Sequence, residues 1–279
     1  MNSLGLDLSD RRRARALVID ADGLVLARAI GDDALDAAQH ATASQAAVMA
    51  GIASPIDLPA VALTAPNVAA RCTPGSAAVV AEQWIGSAKG AQHAVCLHVG
   101  DEVFAGLFLA GRPWEGAHNR GGAAAWLALN PVERQDYRKL GSLAAEVSAK
   151  GIARRLSWRI QAGDRSRVLD AAGGSLEAIT GELVFEGARG GDGVAISVVR
   201  DTAKYIGMAV ATLAATIDPD VVVVSGSVAA ADLMLEPVRQ ECARRLPPDA
   251  MQELRVEFSS LGPDAIAIGA ARLALTASA

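Results

Sequence analysis

The chain has 279 residues, 51% of them hydrophobic and 20% charged, and a net charge of −5 at pH 7. This length exceeds what one small core needs, so we expect one large bilobal unit or two domains. The acidic balance argues against a nucleic-acid partner, because duplex binding uses a basic face to neutralise phosphates. No apolar run approaches the roughly 20 residues that span a bilayer, and the first 15 residues lack the order of a secretory signal. We therefore expect a cytoplasmic protein with no membrane partner.

The cysteines do not indicate a disulfide framework or a zinc site. Cys72, Cys96 and Cys242 are an odd number without close spacing, which is typical of buried thiols in a reducing compartment. The arginine cluster at residues 11–15 is the one basic segment. A solvated hairpin turn explains it, with an anion-binding loop as the alternative.

The first half of the chain predicts a meander followed by mixed elements. Short β-like runs at 3–9 and 14–20, and a third run after the Asp22-Gly23 turn, form the meander. The elements predicted next are a helix over 32–51, a strand over 59–64, a helix that Pro74 opens and that ends at glycines 86–90, and strands over 94–99 and 103–109.

The second half predicts helices that alternate with buried strands. The predicted elements are helices over 141–161, 176–189 and 192–216, a strand over 221–224, a helix over 232–246, a strand over 254–258 and a helix over 263–276. The run VVVV at 221–224 is apolar on both faces, which indicates a mostly parallel, covered sheet. A polar, proline-marked stretch near 112–141 suggests the boundary between a shortened N-terminal lobe, 1–115, and a C-terminal nucleotide-side lobe, 116–279.

The loop that follows VVVV is the most informative candidate site. The strand ends in Ser225-Gly226-Ser227 and a helix follows. In open α/β sheets ligands bind outside the carboxyl end of such strands, and Gly226 would let backbone amides approach a nucleotide closely. An ordinary strand-to-helix loop has the same composition, so the pattern alone leaves both interpretations open.

The segment around this loop resembles the ROK family of repressors, open reading frames and sugar kinases. Ile217-Asp218-Pro219-Asp220, Glu236-Pro237 and Gly269-Ala270-Ala271 stand at the places expected for that family, and the resemblance runs from about 141 to 275. It implies a two-lobed actin-like ATPase (ribonuclease H-like) α/β fold of the ROK type. It also implies that the loop at 225–227 lies beside adenosine, with an adenine nucleotide as the cofactor.

The N-terminal half resembles the family more faintly and departs from its phosphate loops. Asp7 matches the aspartate of an Asp-x-Gly-Gly-Thr turn, but Ser9-Asp10-Arg11 follows it. The second phosphate loop, of Gly-Thr-Gly type, reads Gly100-Asp101-Glu102. Two like charges about 4 Å apart repel by about 4 kcal/mol at an effective dielectric of 20. We therefore expect ATP in the family's pose to be bound poorly.

The resemblance places the family's catalytic and sugar-binding residues at positions that have lost them. Counting back from Glu82 puts Thr73-Pro74 at the Asn-Asp pair that supplies the base, and proline has no proton to exchange. The family's Gly-Glu-x-x-His reads Gly122 to Trp126 here, with Ala123 in place of the glutamate. Ala144 stands where a second sugar-binding glutamate is expected. We assign no catalytic residue.

The resemblance also implies a structural zinc and, in the repressor branch, a DNA-binding module. Residues 126–143 contain no cysteine, and His98 and His118 are isolated, so we expect no metal site. No helix-turn-helix pattern precedes Leu4, so we expect no DNA-binding role.

These departures favour a non-catalytic ROK-like protein, a pseudokinase, that binds a small ligand or a partner subunit through the old cleft. The cofactor-binding candidates are Asp7, Gly100, Ser225, Gly226 and Ser227. The alternative is a glucokinase-like, ATP-dependent kinase of a sugar or other small hydroxylated metabolite, with a base relocated to Asp101, Glu102 or Glu115. We also expect a homodimer, because Trp114, Trp126 and Leu127 would bury against a second copy unless they belong to the core.

Overall fold

The computed structural model describes residues 1–10, 12–55, 63, 66–132 and 134–277. The chain divides into two compact units. The first comprises Met1–His98, Ala105–Gly122 and Ser259–Ala279, and the second comprises Val99–Phe104 and Ala123–Phe258. This division differs from the predicted boundary after residue 115, because the C-terminal segment of the chain belongs to the first unit.

The first unit opens with the predicted meander and continues with a helix and two more strands. These elements are β1 (Ser3–Asp7), β2 (Ala14–Ile19), β3 (Val25–Gly31), α1 (Ala34–Ser44), β4 (Met49–Ala53) and β5 (Asn67–Cys72). The sheet order is β3-β2-β1-β4-β5. The meander strands are antiparallel, whereas β4 is parallel to β1 and β5 is parallel to β4. The predicted strand at 59–64 lies outside the described residues apart from Leu63.

The helix predicted over 32–51 is wrong in its second half. It ends at Ser44, and β4 begins at Met49 in the middle of an alanine-rich run. Small residues suit this strand because the C-terminal helix packs directly on the sheet. A Cβ added to Gly51 would come within 1.8 Å of the carbonyl oxygen of Ala270. Close helix packing, and not helical propensity, therefore explains the composition of this run.

The helix that Pro74 opens is confirmed as α2 (Pro74–Trp84), with proline in the first turn, where its missing N–H costs nothing. Thr73 caps it, because its hydroxyl oxygen accepts a hydrogen bond of 3.2 Å from the amide of Ser76. The strands that follow are β6 (Ala94–Val99), β7 (Val103–Leu109) and the short β8 (Arg112–Trp114). A 3₁₀ turn at Ala124–Trp126 begins the next helical region.

The second half is mainly helical. Its elements are α3 (Gln135–Leu140), α4 (Ser142–Val147), α5 (Ala149–Gln161), α6 (Arg167–Ala171), α7 (Gly181–Arg189), α8 (Gly193–Ile217), β9 (Val221–Ser225), α9 (Ala231–Ala243), α10 (Pro248–Glu253), β10 (Arg255–Phe258) and α11 (Ala265–Ala277). The second sheet has the order β10-β9-β6-β7-β8. β10 is parallel to β9, whose five residues are all buried, as VVVV predicted.

Two predicted helices of this half are interrupted. Ser148 adopts an extended conformation between α4 and α5, and its hydroxyl oxygen accepts a hydrogen bond of 3.2 Å from Gly151. The stretch 176–189 begins as a 3₁₀ turn and becomes helical only at Gly181, after the Thr180 cap. Serine and threonine caps explain both interruptions, because their side chains satisfy the first amides of a new helix. In the described part of the chain, no helix has the length and apolar character needed to cross a membrane.

Candidate functional site

The loop after β9 lies in the second unit and leaves no room for larger side chains. Ser225 is buried, Ser227 is exposed, and Gly226 has a φ of 97°. A Cβ on Gly226 would lie 2.3 Å from the carbonyl oxygen of Val99. The glycine is therefore required both by its backbone conformation and by the close approach of Val99.

The turn that contains Gly100 is bonded on both sides within the same unit. The amide of Val228 donates a 3.0 Å hydrogen bond to the carbonyl of Val99, which joins the turn to the loop after β9. The amide of Gly100 donates to the carbonyl of Glu102 at 3.0 Å, and its own carbonyl accepts from Ala149 at 2.9 Å. The structure thus brings Gly100 and residues 225–227 together. The main-chain N–H of Gly100 is already engaged within its own turn.

Two carboxylates extend from this turn. Asp101 and Glu102 are both exposed, in the turn that the Val99–Val228 hydrogen bond joins to the loop after β9. Phosphate oxygens close to them would meet like charge. The arrangement suits a neutral nucleoside group better than a polyphosphate.

The remaining cofactor candidate, Asp7, belongs to the first unit. It ends β1 and pairs in register with Ala53 of β4, which in turn pairs with Cys72 of β5. The carboxyl ends of three parallel strands therefore meet at one edge of the sheet, where ligands bind in α/β proteins. Burial raises the pKa of Asp7 above its usual value. Hydrogen bonds from Ser9 lower it in part, including one of 2.8 Å from the Ser9 amide to Oδ1 of Asp7.

Glu115 reaches the same edge from the loop after β8. Its Oε1 atom accepts a hydrogen bond of 3.1 Å from the amide of Thr73, the residue before Pro74. Burial, and then the charges of Glu115 and Asp7, raises the pKa of the Cys72 thiol to about 12. The structure therefore places Asp7, Cys72, Thr73 and Glu115 around one edge. The sequence named Glu115 only as one of three alternatives and did not single out Cys72.

The positions that the family would use for the base and the sugar carry no ionisable group. Pro74 is buried in the first turn of α2. Ala144 is buried and Ala123 is exposed. Trp126 is 58% exposed and Trp114 is 47% exposed, so the core interpretation of these two tryptophans is wrong, while Leu127 is half-buried.

A buried polar network occupies the segment where the resemblance implies a zinc site. Glu146 is 2% exposed and accepts hydrogen bonds from the hydroxyl of Tyr137 and, at 3.3 Å, from Arg134. Arg155 forms a further ion pair with it at 3.9 Å. Burial and then Glu146 raise the pKa of Tyr137. The sequence did not predict this network, because its members are separated along the chain and resemble ordinary polar residues of helices.

The described residues contain no group of three or more His, Cys, Asp or Glu side chains that could hold a metal ion. His118 is exposed, and burial lowers the pKa of His98 to about 4. Among the residues that the structure describes, neither His98 nor His118 belongs to a set of metal ligands.

A sequence profile of the ROK family matches residues 73–277, more than half of the chain. The chain belongs to the ROK family. It is 29% identical over 198 residues to a glucokinase from Halalkalibacterium halodurans, an alignment that covers 69% of this chain and 59% of that protein. It is 23% identical over 164 residues to the DNA-binding transcriptional dual regulator NagC of Escherichia coli, covering 58% of this chain and 39% of the regulator.

Solved structures confirm the fold. A ROK family glucokinase from Streptomyces griseus, in complex with glucose and AMPPNP, superposes with a TM-score of 0.84 at 23% identity, covering 99% of this chain and all of that one. The predicted two-lobed actin-like α/β fold of the ROK type is therefore correct. The alignment with the first curated glucokinase spans about six-tenths of that enzyme's length.

Proposed function

We propose that this chain is a ROK protein that binds a small ligand without phosphorylating it. One observation carries the proposal: Pro74 is the first residue of α2, buried, at the position where the resemblance places the catalytic aspartate. A base must be an ionisable group within hydrogen-bond reach of the hydroxyl that it deprotonates. Proline has no such group, so the usual route of phosphoryl transfer to a sugar lacks its base.

The nucleotide side supports binding of an adenosine moiety. Ser227 is exposed and offers a hydroxyl group beside Gly226, which packs against Val99, the residue before Gly100. Asp101 and Glu102 oppose a triphosphate at the same place. Adenosine or AMP is therefore the proposed occupant of this part of the second unit. Asp7, in the first unit, is a separate cofactor-binding proposal.

The alternative is an ATP-dependent kinase of a sugar or related hydroxylated metabolite. The glucokinase relatives and one geometric observation favour it: Glu115 lies within hydrogen-bond distance of Thr73, directly before position 74. Of the three relocated bases considered, Glu115 is the one that belongs to the same unit as that position. Self-association through the exposed Trp114 and Trp126, and a cytoplasmic location, remain proposals.

A ligand screen with a parallel turnover assay tests the function. Thermal unfolding would be followed with glucose, N-acetylglucosamine, adenosine and AMP, because a ligand that binds the native state raises the melting temperature by mass action. We expect at least one of them to raise the melting temperature, with no ADP formed when ATP and a hexose are present together. ADP formation dependent on the hexose would support the kinase, and no shift with any compound would contradict ligand binding.

A further inference from the structure

The second unit contains an open cavity that shares no lining residue with the loop after β9. Its volume is about 520 Å³, which lies within the range of small-molecule sites, roughly 300–1,000 Å³. The end of α5, the loop that follows it, α6 and the turn before α8 form its walls. The lining residues that decide its chemistry are Ile160, Arg165, Arg167, Leu169, Asp170 and Asp192.

Hydrogen bonds fix the walls of this cavity. The buried carboxylate of Asp192 caps α8 by accepting a 2.9 Å hydrogen bond from the amide of Ala195. Its second oxygen accepts from the amide of Arg167 at 2.7 Å and from the hydroxyl of Ser166 at 3.0 Å. The guanidinium of Arg167 also donates to the carbonyl of Gly190 at 2.7 Å. These bonds join α6 to the start of α8, so a ligand would enter a site that needs little ordering.

Two side chains of opposite charge line the cavity without a partner. In the described part of the chain, neither the side chain of Arg165 nor that of Asp170 forms a hydrogen bond or an ion pair. The other two carboxylates of the lining are engaged. Asp192 accepts the three hydrogen bonds given above, and Asp164 forms an ion pair of 2.7 Å with Arg159. One positive and one negative group therefore remain available to a ligand.

We propose that this cavity binds a small zwitterion, namely an α-amino acid with an apolar side chain. The carboxylate of the ligand pairs with Arg165 and its ammonium group with Asp170, because charge-assisted hydrogen bonds are the strongest contacts on offer. Its side chain lies on the half-buried Ile160 and Leu169. A simple anion or cation would use only one of the two free charges. The inference goes beyond the proposed function and does not depend on it, because the two sites share no residue.

Titration calorimetry at pH 7 and low ionic strength, with L-leucine and three analogues as the probes, tests this site. 4-Methylpentanoate lacks the ammonium group of leucine, 3-methylbutylamine lacks its carboxylate, and glycine lacks its apolar side chain. We expect leucine to bind most tightly. Each singly charged analogue should bind about fivefold more weakly, which corresponds to about 1 kcal/mol for one exposed ion pair. Glycine should also bind more weakly, because it buries no apolar surface.

Two substitutions separate the two charges. Arg165→Gln is expected to weaken the binding of leucine and 4-methylpentanoate about fivefold and to leave 3-methylbutylamine unchanged. Asp170→Asn should weaken leucine and 3-methylbutylamine and leave 4-methylpentanoate unchanged. Both residues are exposed, so the fold should tolerate either change. The controls Arg200→Gln and Asp249→Asn alter exposed charges of the same unit outside the cavity, and both should bind leucine as the wild type does.

Three results would overturn the inference. The first is no binding of leucine to the wild type at concentrations up to about 10 mM. The second is equal affinity of the wild type for leucine and the two singly charged analogues. The third is wild-type affinity for every probe in both Arg165→Gln and Asp170→Asn, which would place the ligand elsewhere. Phosphoryl transfer to a sugar would contradict the proposed function and leave these binding results unaffected.

Discussion

Gly226 and Val99 approach so closely that a Cβ on Gly226 would lie 2.3 Å from the carbonyl oxygen of Val99. The glycine also has a φ of 97°, which side-chain-bearing residues rarely adopt. The Val99 carbonyl in addition accepts a hydrogen bond from Val228, so it cannot shift without loss of that bond. This contact fixes the loop in which we propose that adenosine binds.

Gly226→Val is therefore expected to destabilise the protein by at least about 2 kcal/mol and to abolish adenosine binding. Urea denaturation and calorimetry would measure the two effects. Gly193→Ala is the matched control, because Gly193 begins α8 with no heavy atom within 4 Å of an added Cβ. It should leave both stability and binding close to wild type. A Gly226→Val variant with wild-type affinity would show that the loop is not the adenosine site.

From the negative charges of Asp101 and Glu102 we predict an order of nucleotide affinities. Binding should weaken from adenosine or AMP to ADP and then to ATP, because each added phosphate increases repulsion near the turn. Asp101→Asn combined with Glu102→Gln should bring the ADP and ATP affinities closer to that of AMP. Calorimetry at low ionic strength measures the series most sensitively. Tighter binding of ATP than of AMP by the wild type would contradict the charge argument.

We expect the protein to be stable without a bound metal ion, because the buried network around Glu146 holds this segment together. Elemental analysis should find no stoichiometric zinc, and a chelator should not change the melting temperature. Glu146→Ala should cost about 3 kcal/mol of unfolding free energy, because it removes the buried carboxylate that binds Tyr137 and Arg134 and pairs with the half-buried Arg155. One zinc ion per chain would show that a ligand set was missed.

The lowered pKa of His98 leads us to expect a loss of stability in acid. Burial lowers its pKa from 6.5 to about 4, so between these values the unfolded chain binds a proton that the folded chain does not. The free energy of unfolding should therefore fall as the pH decreases from about 6.5 to about 4, by at most about 3 kcal/mol from this group.

His98→Gln should reduce this pH dependence, whereas the exposed His118→Gln should not. Urea denaturation at several pH values compares the three proteins, and the comparison cancels the contribution of other titrating groups. Identical profiles for wild type and His98→Gln would contradict the lowered pKa of His98.

The sequence predicted most of the second half of the fold because strong local patterns and tertiary packing agree there. The run VVVV, with a long helix before it and small residues after it, led directly to β9 and its loop. The prediction failed at β4, where alanine and glycine serve close packing against α11 in a strand. Helical propensity cannot distinguish that use of small residues from a helix.

The candidate sites were predictable only in part. The sequence named Gly100 and the loop after β9 as separate cofactor-binding candidates, and the structure brings them together. The contact between Glu115 and Thr73 spans 42 residues of sequence, and the Glu146 network joins several helices. Long-range contacts of this kind depend on how elements pack, and no local pattern records them.

The most direct test of the account is an assay of phosphoryl transfer from ATP to common hexoses and N-acetylhexosamines by the purified wild-type protein. Because buried Pro74 stands where the base is expected, we expect no transfer above the uncatalysed background. A turnover number of about 1 per second or more, the lower range for enzymes, on any of these sugars would contradict it. Loss of that activity in Glu115→Gln would then identify the relocated base.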